Sequence, residues 1–119
     1  MMFLAPLVLT SVLAGSGPGD EVVGFDFTRP ETVRGWIAQH DLGPLVATSE
    51  GMVLTITGAD PYMTGPPRDY PAGVPLKLKI RLRASARGGG QVFYFDRGPD
   101  ELHSVHFDCR GGQWEDISV

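Results

Sequence analysis

The clearest pattern in the chain is a strict alternation of apolar and basic residues over residues 76–84. Successive side chains of a β-strand point to opposite faces, so this segment is predicted to be a strand with one buried and one solvated face. Strands of this kind are typical of antiparallel sheets. The alternating sets are Leu76, Leu78, Ile80, Leu82 and Ala84 against Lys77, Lys79, Arg81 and Arg83.

Further short strands are predicted between turns that are rich in glycine and proline. The clearest are residues 21–27, 52–57, 102–109 and 113–119. Residues 28–34 contain Pro30 and have room for one helical turn. Roughly eight short strands at close spacing indicate an all-β chain with an antiparallel, jelly-roll-like β-sandwich. Its predicted core consists of Leu54, Ile56, Leu78, Ile80, Leu82, Phe93, Phe95, Val105 and Phe107.

Two segments of this pattern carry additional expectations. Residues 87–90 are predicted to form a hairpin turn, and residues 91–96, which are apolar at both parities, a central strand covered on both faces. Residues 113–119 alternate up to the last residue without a turn. We therefore expect a C-terminally truncated domain that lacks its last strand or strands.

The first 14 residues are apolar and uncharged, and small residues follow them. This pattern is typical of a secretory signal peptide and is too short to span a bilayer comfortably. We expect a signal peptide at residues 1–16, a linker at 17–20, a β-sandwich domain at 21–119 and a secreted or periplasmic mature chain without a membrane span. The alternative is that the apolar segment forms a strand.

The charge is unevenly distributed around a net value of −4. Residues 77–87 are basic and residues 96–116 are mostly acidic, so the basic strand is expected to pair with an acidic neighbour. An acidic chain without a basic, aromatic groove argues against a nucleic-acid partner. The single cysteine, Cys109, cannot form an internal disulfide and is predicted to be a buried thiol.

A series of short motifs resembles one family of exported proteins. Gly35-Trp36, residues 58–62, residues 91–96 and residues 112–114 stand in an order that is similar to carbohydrate-binding modules of the galactose-binding-like, jelly-roll type. The resemblance spans about residues 21–119. It implies a non-catalytic domain, a polysaccharide or glycan partner, a structural calcium ion in some members, and a catalytic domain elsewhere in a longer parent protein.

Exposed aromatic rings and loop carboxylates are the side chains that such a domain uses. A sugar ring presents a C–H face that stacks on an aromatic ring, and calcium prefers oxygen ligands from loops. Asp60 and Asp96 are the candidate metal ligands, although Asp60 before Pro61 is equally typical of a turn. Both tryptophans have a competing interpretation as core or sheet-edge residues. The candidate ligand-binding residues are Trp36, Tyr62, Tyr70, Tyr94 and Trp114.

Overall fold

The computed structural model describes residues 7–15, 23–68, 75, 77–94, 98 and 101–119, which form mostly antiparallel strands and one short helix. This confirms the predicted all-β class. The helix α1 spans Pro30–Arg34, and a 3₁₀ turn spans Glu101–His103. The strands are β1 (Leu7–Gly15), β2 (Val23–Asp26), β3 (Ile37–His40), β4 (Val46–Thr48), β5 (Gly51–Leu54), β6 (Tyr62–Thr64), β7 (Lys77–Ala84), β8 (Gly88–Phe93), β9 (Ser104–Cys109) and β10 (Trp114–Ser118).

The described strands form one large sheet and two ribbons. The large sheet has the order β10-β7-β1-β5-β4, and β2 pairs with the second half of β1 beyond the end of β5. β3 pairs with β6 and β8 with β9, each as a two-stranded antiparallel ribbon. We call these the β3–β6 ribbon and the β8–β9 ribbon.

The alternating segment forms β7 as predicted. Ile80, Leu82 and Ala84 are buried, whereas the intervening basic side chains point to the solvated face. On that face β10 supplies the acidic neighbour: Asp116 is the register partner of Arg81, whose Nη1 donates to both carboxylate oxygens at 3.0 and 2.9 Å. The prediction that a basic strand pairs with an acidic one is thus confirmed.

The hydrophobic core receives side chains from the large sheet, from α1 and from the β8–β9 ribbon. Leu54, Ile80 and Leu82 of the predicted core are buried, and Ile56, Leu78 and Phe107 pack partly buried against them. Cys109 is buried, as expected, and burial raises the pKa of its thiol. The buried residues of the hydrophobic core are Phe25, Phe27, Val33, Met52, Leu54, Ile80, Leu82, Ala84 and Cys109.

The region around β8 corrects two expectations. The glycines at 88–90 lie in β8 and do not form the predicted turn; a Cβ at Gly90 would overlap the Phe107 ring, so the strands approach too closely there for a side chain. Within the described residues β8 pairs with β9 alone, and Phe93 is 37% exposed. The apolar residues of β8 therefore do not form a central strand covered on both faces, and Phe93 does not belong to the core.

The segment predicted to be a signal peptide contains β1. The backbone of β1 pairs with β7 along its whole length and with β5 and β2 on the other side. Removal of the segment stays a prediction. Truncation of the domain after Val119 stays a prediction as well; the N–H and C=O of Val119 both pair with the main chain of Leu78. Outside the described residues lie the linker at 17–20 and four predicted positions: Tyr70, Leu76, Phe95 and Asp96.

Candidate functional site

The outer face of the β3–β6 ribbon brings together exposed aromatic and polar side chains. Ile37 pairs with Thr64 and His40 with Tyr62, so these four side chains share one face. Gln39 follows Ile37 on the same face by the period of two of a strand, and its Nε2 donates to Oγ1 of Thr64 at 3.1 Å. A register irregularity between Ala38 and His40 turns His40 to this face as well. We call this surface, made of Ile37, Gln39, His40, Tyr62 and Thr64, the ribbon face.

The opposite face of the ribbon is directed inward. Met63 is half-buried and packs against the hydrophobic core, and Ala38 is half-buried as well. This inner contact explains why the outer side chains stay accessible: Ile37 is 58% and Tyr62 49% exposed. Because successive side chains of a strand point to opposite faces, the ribbon packs one face against the core and presents the other face to solvent.

Tyr62 and His40 form a stacked pair at the centre of the ribbon face. Their ring centroids lie 5.5 Å apart with an interplanar angle of 11°. The imidazole is half exposed, like the phenol ring. The pair therefore offers a flat aromatic surface that is held by main-chain pairing and remains open to a ligand.

Two loops next to the ribbon hold the pair in place. Asp41, with a φ of 50°, accepts the Thr57 N–H at its carbonyl and the Asp60 N–H at its Oδ2, at 2.9 and 3.0 Å. Gly58 leaves room for this carboxylate, because a Cβ there would overlap it. Pro61 is buried and precedes Tyr62 directly. The loop that leads into β6 is thus fixed to the loop that leaves β3.

His40 has an asymmetric set of partners. Its Nδ1 lies 2.9 Å from the Asp60 carbonyl oxygen, which can only accept, so Nδ1 carries the proton. Nδ1 also lies 3.3 Å from Oδ2 of Asp41 and 4.0 Å from Oδ2 of Asp60. The hydrogen bond to the Asp60 carbonyl, and then the negative charge of Asp41, raise the pKa of His40 above its ordinary value.

Three polar groups on or beside the ribbon face remain open to a ligand. Among the described residues, Nε2 of His40 and the Tyr62 hydroxyl have no hydrogen-bond partner, and the Asp60 side chain is 81% exposed. A neutral His40 accepts at Nε2, the phenol both donates and accepts, and the carboxylate accepts. An aromatic surface flanked by such groups can hold an apolar ring face and read hydroxyl groups around it.

The structure places Trp36 in a different environment from Tyr62. Its ring packs edge-on against Phe25 and Phe27, with centroids 5.2 and 5.3 Å apart. Its Nε1–H is buried without a hydrogen-bond partner among the described residues. The competing interpretation of Trp36 as a core residue describes this geometry, since the ring lies against side chains and has little surface for a ligand.

Trp114 lies on the solvated face of the large sheet, where two arginines cover it. The guanidinium groups of Arg81 and Arg83 lie 5.4 and 5.0 Å from its ring centroid. Arg81 is held by Asp116, and Arg83 by Glu50 at 2.9 Å. Trp114 also borders an open depression of about 500 Å³. Its ring is thus already occupied by intramolecular contacts.

The remaining predicted site residues are not brought together. Tyr94 is 51% exposed and contacts His103 edge-on at the end of the β8–β9 ribbon. Within the part of the chain that the structure describes, no group of three or more His, Cys, Asp or Glu side chains is placed to hold a metal ion, at Asp60 or elsewhere. The calcium hypothesis for Asp60 and Asp96 stays a prediction.

Sequence reasoning selected Tyr62 and Asp60 but missed the residues around them. Gln39, His40 and Asp41 reach Tyr62 and Asp60 through the register of β3 with β6, although they lie about 20 residues away in the chain. Thr64 lies on β6 itself, close to Tyr62. The alternation of Ile37, Ala38 and Gln39 indicates which side chains share a face. It does not show the irregularity that turns His40 to the same side.

Comparisons with known proteins do not assign this chain to a family. No protein-family model, curated protein or solved structure matches the chain. The resemblance to carbohydrate-binding modules therefore rests on the sequence motifs alone. Among the described residues, none of the helical structure is long and apolar enough to cross a membrane.

Proposed function

We propose that the chain is a non-catalytic carbohydrate-binding or carbohydrate-associated accessory domain that binds glycans on the ribbon face. The observation that carries the proposal is the stacked, half-exposed pair of Tyr62 and His40 with open polar groups beside it. Pyranose rings bind by stacking their C–H face on such a surface while neighbouring groups accept and donate hydrogen bonds to the hydroxyls. The ribbon face is an open surface and not a cleft in which two carboxyl groups flank a glycosidic bond, and this favours glycan binding over glycan hydrolysis.

The ribbon face is a better candidate than the surface around Trp114. At Trp114 the ring is covered by two arginines that are themselves ion-paired. The carboxylate of Glu115, in the same depression, already accepts the N–H groups of Arg110 and Gly111. A ligand would have to displace these contacts, whereas the ribbon face needs only to lose water.

A glycan array with the full chain, run with and without calcium, tests the proposal. We expect binding to at least one glycan and an affinity about tenfold lower for Tyr62→Ala, because the stacking surface is lost. Tyr94→Ala is the matched control, since that tyrosine is equally exposed but lies on the other ribbon. A chain that binds no glycan in either condition, or equal binding by Tyr62→Ala and wild type, contradicts the proposal.

A second candidate function is a structural or protein-interaction domain without a sugar ligand. It is favoured by large apolar side chains that lie apart from the ribbon face: Leu102 is 88% and Val46 50% exposed, and Val46 lies on β4, the last strand in the sheet order. Absence of glycan binding together with a specific protein complex that Val46→Asp abolishes would establish this alternative.

The finer architecture and the export of the domain are part of the same proposal. A jelly-roll-like sandwich is supported by the antiparallel pairing and by a core to which the large sheet and the β8–β9 ribbon both contribute. Export to the periplasm or medium is supported by the apolar residues 1–14. Attachment to a catalytic domain in a longer parent is what the resemblance to carbohydrate-binding modules implies. A molecule that has lost residues 1–16 cannot contain the β1 pairs. N-terminal sequencing of the exported product therefore decides whether residues 1–16 are removed or β1 is retained. Intact Met1 contradicts cleavage.

A further inference from the structure

Asp60 carries an exposed carboxylate on a main-chain segment that is fixed beside the aromatic pair. Its N–H donates to Oδ2 of Asp41 at 3.0 Å, and its carbonyl accepts Nδ1–H of His40 at 2.9 Å. Both main-chain groups are thus bonded, while the side chain is 81% exposed and has one ionic contact among the described residues, at 4.0 Å from His40. The main chain of Asp60 is therefore fixed beside the aromatic pair, and its exposed carboxylate is open to a ligand.

The charges around the aromatic pair favour a cationic ligand. Among the described residues, the charged side chains that form ionic contacts with His40 are Asp41 and Asp60, both acidic. An aromatic face attracts a cation, and a carboxylate attracts it as well. The Tyr62 ring and the Asp60 carboxylate are thus two features of the same site that each attract a positively charged ligand group.

We propose that the ribbon face prefers glycans built of amino sugars that carry a free primary ammonium group. This inference rests on the proposed function and specifies its ligand. The sugar ring lies on Tyr62, and the ammonium group pairs with the carboxylate of Asp60. An N-acetylated sugar of the same shape retains the stacking and loses the ion pair. The ribbon face therefore binds both kinds of sugar and distinguishes them by charge.

Calorimetric titration of the full chain with three β-1,4-linked tetrasaccharides tests the preference: those of glucosamine, N-acetylglucosamine and glucose. At mildly acidic pH, where the sugar amines are protonated, and at low salt, we expect the glucosamine tetramer to bind about threefold to fivefold more tightly than the other two, as an exposed ion pair provides. Raising the salt to roughly 0.5 M should remove the difference, because exposed charges are screened.

Two matched variants locate the effect. Asp60→Asn keeps both main-chain hydrogen bonds of the residue, so we expect an unchanged melting temperature and no remaining preference for the glucosamine tetramer over the other two. Asp108→Asn removes an exposed carboxylate from β9 on the other ribbon and should leave the preference intact.

The outcomes separate this inference from the function on which it rests. Equal affinity for the three tetramers, tighter binding of the N-acetylated one, or a preference that survives in Asp60→Asn overturns the amino-sugar inference while glycan binding stands. Binding of none of the tetramers, together with an empty glycan array, overturns both.

Discussion

Two aromatic clusters lie close together in the chain and face opposite environments. Trp36 packs edge-on between Phe25 and Phe27, of which Phe27 is fully buried. Four residues later His40 stacks in parallel on Tyr62, which is half exposed. The first cluster joins β2 to the end of α1, and the second belongs to the outer side of a ribbon. Aromatic residues alone therefore do not identify a binding surface, because the register of each strand decides whether a ring supports the core or meets solvent.

The packing around Trp36 also depends on the ribbon itself. Gly65 follows β6, and a Cβ there would lie 2.8 Å from the indole ring. The strand that presents Tyr62 outward thus leaves room for Trp36 immediately afterwards. The two clusters are built on the same piece of chain but consist of different side chains, so single substitutions can test their roles separately.

The largest expected effect is on stability in the buried cluster. Phe27→Ala should lower the free energy of unfolding by about 3–5 kcal/mol, because a fully buried ring is replaced by a cavity. Tyr62→Ala should lower it by less than about 1 kcal/mol, since the ring is half exposed. Urea denaturation of both variants measures the difference. Equal losses would mean that Tyr62 supports the fold and that the contrast between the clusters is wrong.

A smaller effect is expected at the third aromatic position, Trp114. Trp114→Ala should lower the free energy of unfolding by about 1–2 kcal/mol, because it loses contacts with Arg81 and Arg83 that contribute roughly 0.5–1 kcal/mol each. Its glycan affinity should equal that of the wild type. A loss of affinity as large as that of Tyr62→Ala would move the binding site to the large sheet.

The sequence predicts these features unequally, for physical reasons. β7 is predictable because burial on one side and solvent on the other leave a period of two in residues 76–84, and its acidic partner follows from opposite charges. β8 is not, because Phe93 and Tyr94 are apolar but exposed, and a run of apolar residues does not reveal how many neighbours a strand has.

The candidate site shows the same limit more sharply. Tyr62 and Asp60 are found by their residue type and their place in a loop and a short strand. His40 and Asp41 become part of the site only through pairing between β3 and β6, and through a register irregularity that local propensity does not encode. Trp36 and Tyr62 are equally good candidates from the sequence, yet the side of the backbone on which each lies separates them.

The smallest expected effect concerns the protonation of His40. Because its pKa is raised in the folded state, its contribution to stability is fully present below the ordinary value of 6.5 and is lost as the pH rises through the higher folded value. An NMR titration of the imidazole should give a midpoint above 6.5, and Asp41→Asn should lower it by removing one of the two carboxylates that face the ring. His40→Gln should abolish this part of the pH dependence. A midpoint at or below 6.5 contradicts the geometry described for Nδ1.

The most direct test of glycan binding by the ribbon face is NMR mapping of the isotope-labelled full chain. It is titrated in turn with β-1,4-linked tetrasaccharides of glucose, N-acetylglucosamine and glucosamine. We predict that at least one of them shifts the signals of Gln39, His40, Tyr62 and Thr64, while the signals of Phe27 and Trp114 stay in place. Shifts centred on Trp114 or Tyr94 would contradict the account, and so would the absence of shifts with all three sugars together with an empty glycan array.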